Sequence, residues 1–116
     1  TMTKCLCPVT NSLKLIGGKW KIAVMYNLRE EAIRFGELKR ILSPITAQML
    51  TKQLREMERD HLINRKVFEV IPLKVEYSLT EFGESLMPIL NSLCKWSVKH
   101  EELIEAISED MLLDTA

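Results

Sequence analysis

Two periods organise the apolar positions of this chain. Between Thr46 and Asp60 the period is helical. At ~100° per residue, Ala47, Leu50, Leu54 and Met57 fall within about one quadrant and predict a core-facing side. Gln48, Lys52, Arg55 and Arg59 gather opposite. Thr46 is a suitable N-cap, because its hydroxyl can accept from a free amide of the first turn, and Pro44 disfavours helix at Ser43. Upstream, Trp20, Ala23, Val24 and Leu28 predict a helix over 19–28 after the Gly17-Gly18 break. Phe35, Leu38, Ile41 and Leu42 predict a short helix, joined through Pro44 to the next. The pair, about 35–60, reads as a helix-turn-helix.

After Asp60 the period changes to two. Ile63, Arg65, Val67 and Glu69 lead to Ile71-Pro72, and Lys74 to Leu79 follow, which predicts a β-hairpin over about 62–79 with Pro72 at its tip or on an edge. Thr80 then caps a last helical region, about 80–108. Phe82, Leu86, Ile89, Leu93, Trp96, His100, Leu103 and Ile107 step alternately by 4 and 3, a heptad stripe. Pro88 inside it is expected to kink or split the helix. A domain this small has little core left for such a stripe, so part of it is expected to meet another chain. His100 reads as a packed interface histidine. Helix, helix, helix, hairpin, helix is the order of a winged helix-turn-helix. The expected fold is mainly α with a small β-hairpin wing, in a single domain spanning 1–116.

Composition changes this picture little. The 116 residues are 47% apolar and 28% charged with zero formal net charge, in the ordinary soluble range. No apolar run approaches the ~18 residues of a membrane span. The polar opening TMTKCLCPVT lacks a signal-peptide core, so a cytoplasmic protein is expected. Charge distribution says more. Residues 1–79 carry 14 Lys/Arg against 8 Asp/Glu, and residues 80–116 carry 2 against 8. That asymmetry predicts a cationic working surface and an acidic region with another role.

An α-helix fits the DNA major groove, and its N-terminal residues reach base edges. On this reading Gln48 pairs with adenine, Lys52 or Arg55 donates to guanine or phosphate, and Arg59 meets phosphate or solvent. Thr46 offers its hydroxyl or amide to a phosphate. Arg34, Lys39 and Arg40 are candidate phosphate anchors, and Lys74 is a candidate wing contact. Alternation lets only one of Arg65 and Lys66 face DNA. The plain alternative for the stripe is a solvated cationic face, and for Lys74 an exposed loop lysine. No enzyme motif or cofactor signature is present, and the Cys and His spacing does not suit structural zinc. Cys5-Leu6-Cys7-Pro8 is not a C-x-x-C. With Lys4, Lys14 and Lys19 nearby and no acid in this stretch, a thiolate sensor is one reading and an ordinary N-terminal thiol the other. Cys94 is expected as buried packing.

The Cys-Pro pair, LIGGKWKIAVMYNL, RFGELKRIL, ITAQMLTKQLREME, LINRKVFEVIPLKVEYSLTEFGESLMPIL and LCKW together resemble the HxlR family of bacterial transcription regulators, from about Cys7 to Trp96. The resemblance implies a MarR-like winged-helix homodimer on a palindromic operator, dimerised through N- and C-terminal helices. It implies recognition by 46–60 and a wing at 70–75. Leu93, Trp96, His100, Leu103 and Ile107 are then the expected dimer contacts. Some similar members sense electrophiles or oxidants through the cysteine that maps onto Cys7. Cys5 is extra to that pattern. Two other classes stay open: a winged-helix protein-interaction module, and a small thiol oxidoreductase. Any inducer is undefined by the sequence.

Overall fold

The computed structural model describes residues 8–115, with side chains as far as Met111. Two compact units divide the chain, one ending at Ser85 and one beginning at Leu86.

In the first unit, α1 (Pro8–Ile16) and α2 (Lys21–Leu28) flank the Gly17-Gly18 break. Gly18 sits at φ +101°, a backbone that side chains rarely adopt, which explains a glycine there. A two-residue strand, β1 (Ile33–Arg34), leads into α3 (Phe35–Ile41), and a turn through Pro44 leads to α4 (Ala47–Arg59). β2 (Ile63–Phe68) and β3 (Lys74–Leu79) follow. The sheet is three-stranded and antiparallel in the order β1-β3-β2, so β3 is central. Ile33 pairs with Tyr77, and Arg65 pairs with the same Tyr77 from the other side. The expected hairpin is therefore extended by one strand.

Val24, Met25 and Leu28 of α2, Leu38 of α3, and Leu50, Leu54 and Met57 of α4 are buried with Leu62, Ile63, Tyr77 and Leu79. Full burial of each large side chain stabilises by roughly 1.5–3 kcal/mol, so this cluster holds α4 against the sheet and α2. Ala47 corrects the predicted core side: it is exposed, because it opens α4 and the helix meets the core only from Leu50 onward.

Both expected caps form. The Thr46 hydroxyl accepts from the Met49 amide at 3.1 Å, and the Thr80 hydroxyl accepts from the Gly83 amide at 2.9 Å. α4 ends in a Schellman arrangement. The Leu62 amide donates to the Met57 carbonyl at 2.9 Å, and His61 between them takes φ +63°.

α5 (Glu81–Lys99) starts in the first unit and runs into the second, which also contains α6 (Glu101–Thr115). Pro88 lies inside α5 without splitting it. Proline removes one amide-to-carbonyl bond, and the carbonyl concerned belongs to exposed Glu84. The division falls instead at His100, whose carbonyl accepts from the Ile104 amide at 3.0 Å and opens α6. Leu93, Trp96, Leu103 and Ile107 are all exposed. His100 is exposed too, with its ring 5.4 Å from that of Trp96. Among the described residues, no helix is long and apolar enough to cross a membrane.

Candidate nucleic-acid interface

The exposed side of α4 is built by its cap and its buried face. The Thr46 cap fixes where the helix begins, and Leu50, Leu54 and Met57 fix its roll. Thr46, Gln48, Lys52 and Arg55 are thereby turned outward into one shallow depression, together with Ala47, Met49, Thr51 and Glu56. A second concavity lies between α4 and the sheet, lined by Phe35, Thr51, Arg55, Glu58, Arg65, Val75 and Tyr77. Arg55 borders both. Arg65 belongs with the α4 cations in space, and only the alternation along β2 pointed to it. Lys66, its neighbour in sequence, lies with its Nζ 4.8 Å from the Phe68 ring centroid.

The remaining sequence candidates are placed as follows. Arg59 turns to Asp60, with Nε 3.2 Å from Oδ1 and Nη2 3.5 Å from Oδ2. The hydrogen bond and charge of Asp60 hold the Arg59 guanidinium above its ordinary range. Arg40 is bonded to Glu37 within α3, and Lys39 is exposed. Arg34 is exposed at the junction of β1 and α3, where it borders a groove along the wing residues 70–75. Lys74 is half-buried: its Nζ lies 3.0 Å from Glu76 and 4.5 Å from the Phe68 ring centroid. What the wing tip projects is apolar. Val70 and Leu73 are exposed, and Ile71 is fully so.

Glu56 is the acid in the α4 depression. Its Oε1 lies 2.8 Å from Nζ of Lys21 on α2. The hydrogen bond and charge of Lys21 hold its carboxyl below the usual carboxylate range, and the charges of Lys52 and Arg59 act in the same direction.

Cys5 and Cys7 lie outside the described residues. Cys94, expected as buried packing, is exposed on α5. It follows Leu90 by one turn on the same side of α5, and Leu90 is the last buried position of that helix. Among the described residues, no group of three or more His, Cys, Asp or Glu side chains is arranged to hold a metal ion.

A helix-turn-helix followed by a short antiparallel sheet, with a cation-bearing second helix facing outward, defines a winged-helix transcription regulator. The family model of the HxlR-like helix-turn-helix matches residues 15–112, and the chain belongs to that family. It is 46% identical over 101 residues to YdeP of Bacillus subtilis (strain 168), described as an uncharacterized HTH-type transcriptional regulator; the match covers 87% of this chain and 79% of that protein. Among solved structures it is similar to the redox regulator HypR in its reduced form, at 44% identity and a TM-score of 0.82, covering 86% of this chain and 99% of that one. It is also similar to the reduced form of the transcriptional regulator YodB from B. subtilis, at 30% identity and a TM-score of 0.71, covering 79% and 91%. Each of the three is described as a regulator.

Proposed function

We propose that the chain is a homodimeric regulator that reads a palindromic DNA operator. α4 of each protomer enters a major groove, and the two are held about one turn of DNA, roughly 34 Å, apart. Gln48 and Arg55 are assigned to base edges, Lys52 and Thr46 to phosphate, and Arg34, Lys39 and Arg65 to the flanking backbone. The observation that carries this reading is the convergence of Thr46, Gln48, Lys52 and Arg55 in one outward depression. Phosphate neutralisation by these cations makes affinity fall with salt. Leu93, Trp96, His100, Leu103 and Ile107 are assigned to the dimer contact, because a stripe of exposed large apolar side chains needs cover. The test is selection of bound duplexes from a random pool. A two-fold symmetric consensus is expected. Recovery of no sequence preference, with binding no stronger than to heparin, leaves the protein-interaction module as the better account.

Response to oxidants or electrophiles is the second part of the proposal, with Cys7 as the reactive thiol and Cys5 as a nearby second one. Its support is the similarity to HypR, described as a redox regulator, and the cationic N-terminal sequence. A thiolate attacks a disulfide and displaces one of its sulfurs as a thiolate, or adds to an electrophile that takes up the displaced electron pair and a proton, and the resulting mixed disulfide or adduct shifts the spacing of the paired recognition helices. Operator binding is to be measured before and after diamide in wild type and in Cys7→Ser, Cys5→Ser and Cys94→Ser variants. Loss of binding in wild type but not in Cys7→Ser is expected. An unchanged response in Cys7→Ser removes Cys7 from the role.

A further inference from the structure

Lys21 is the one buried charged residue among those described, at 7% exposure. Its position is doubly unfavourable. Burial strips its hydration, and it opens α2, where the helix dipole is positive and the first turn holds no acid. The compensation is Glu56, 2.8 Å away on α4. Glu56 in turn is out of character where it stands. Among the described residues it is the sole carboxylate lining the depression that holds Gln48, Lys52 and Arg55, and a bare carboxylate there would repel phosphate. Lys52 lies one helical turn from Glu56, the spacing of an ordinary surface pair. Yet the ion pair of Glu56 is with Lys21, and none forms with Lys52.

We propose that Lys21 is a positioning residue of the DNA-reading face: by acting as the internal counter-ion of Glu56, it cancels that carboxylate from beneath and leaves Lys52 and Arg55 free for nucleic acid. This rests on the assignment of α4 to DNA. It differs from a simple brace between α2 and α4. A brace fails equally when either partner is removed. A counter-ion does not: losing Lys21 exposes a negative charge to phosphate, whereas losing Glu56 removes that charge and leaves the reading face purely cationic.

The experiment uses the full chain and a fluorescein-labelled duplex selected from a random pool on wild type, with binding read by anisotropy and folding by thermal unfolding. Lys21→Met is expected to weaken duplex binding by about tenfold, since an uncompensated like charge at an interface acts directly on affinity. Glu56→Gln is expected to lower Tm, because it leaves Lys21 buried without its partner, and yet to bind duplex as tightly as wild type or more tightly. The double variant is expected to recover most of the affinity that Lys21→Met loses. Three results overturn the proposal: Lys21→Met binding as wild type does, folded Glu56→Gln binding as poorly as Lys21→Met, or Glu56→Gln adding nothing in the Lys21→Met background. The last comparison decides the matter if the Glu56→Gln single variant does not fold. A wild-type chain that binds no duplex at all rejects the assignment of α4 to DNA instead.

Discussion

At His61 and Gly83 backbone geometry, not side-chain chemistry, decides which residue suits the position. His61 closes the end of α4 at φ +63°, a region that costs a residue with a Cβ on the order of 1 kcal/mol and costs glycine nothing. His61→Gly is expected to stabilise the fold by about 0.5–1 kcal/mol, read as a higher Tm with the same unfolding cooperativity. Gly83 is the reverse case. A Cβ there would lie 2.3 Å from the Leu62 carbonyl oxygen, which is fixed backbone. Gly83→Ala is expected to destabilise by about 1–3 kcal/mol in denaturant unfolding. The Thr80 hydroxyl explains why the approach is so close: it donates to the His61 carbonyl at 2.6 Å while it caps α5. Neither requirement shows in the sequence. A histidine after a helix and a glycine in a helix's first turn both read as ordinary, because a dihedral angle and a carbonyl from a distant loop leave no periodic trace.

At the scale of elements, the cations divide by what already holds them. Among the described residues, Lys52 and Arg55 point outward without an ion pair to a carboxylate, whereas Lys74 is bound to Glu76 and lies over Phe68. Lys52→Ala and Arg55→Ala are each expected to weaken duplex binding by about 1–3 kcal/mol with folding intact, and Lys74→Ala by less. Equal losses for all three in the same titration would show that Lys74 leaves Glu76 when DNA binds. α4 itself was legible: its period, its Thr46 cap and its polar face all follow from residues 46–60. β1 was not, because a two-residue strand has no period of its own and exists only through its pairing with Tyr77 and Glu76. The sequence predicts a kink or a split at Pro88; α5 is not split there, and the last helical region divides at His100, which the heptad spacing crosses without interruption. A weaker signal marked the true site. Lys99 ends α5 and Glu101 and Glu102 begin α6, cations at one helix end and acids at the next helix start, as the dipoles favour. The α4 face of the candidate site was likewise legible, while Arg65 and the Lys21–Glu56 pair required the tertiary packing.

For the whole molecule, the cationic residues fall in the first two thirds of the chain and the acidic excess in the last third. The exposed apolar stripe belongs to the acidic part. Trp96 is 55% and Leu103 62% exposed, a state that a second copy of the chain would relieve. Truncation before Trp96 is expected to give a monomer, or an unstable chain, with much weaker operator binding. Two half-sites held by one dimer gain affinity from effective concentration, and a monomer forfeits that gain. Sedimentation at micromolar concentration checks it: a truncated chain that still sediments as a dimer assigns the contact elsewhere.

The Lys21–Glu56 pair also constrains how such a protein can change over generations. Substituting position 56 first strands a buried ammonium, and substituting position 21 first strips a carboxylate of its partner. Each single step passes through a less fit intermediate, so the two codons behave as one inherited character. A lineage is expected to keep both residues or to exchange both, and a descendant carrying either change alone should bear a second substitution close by in space.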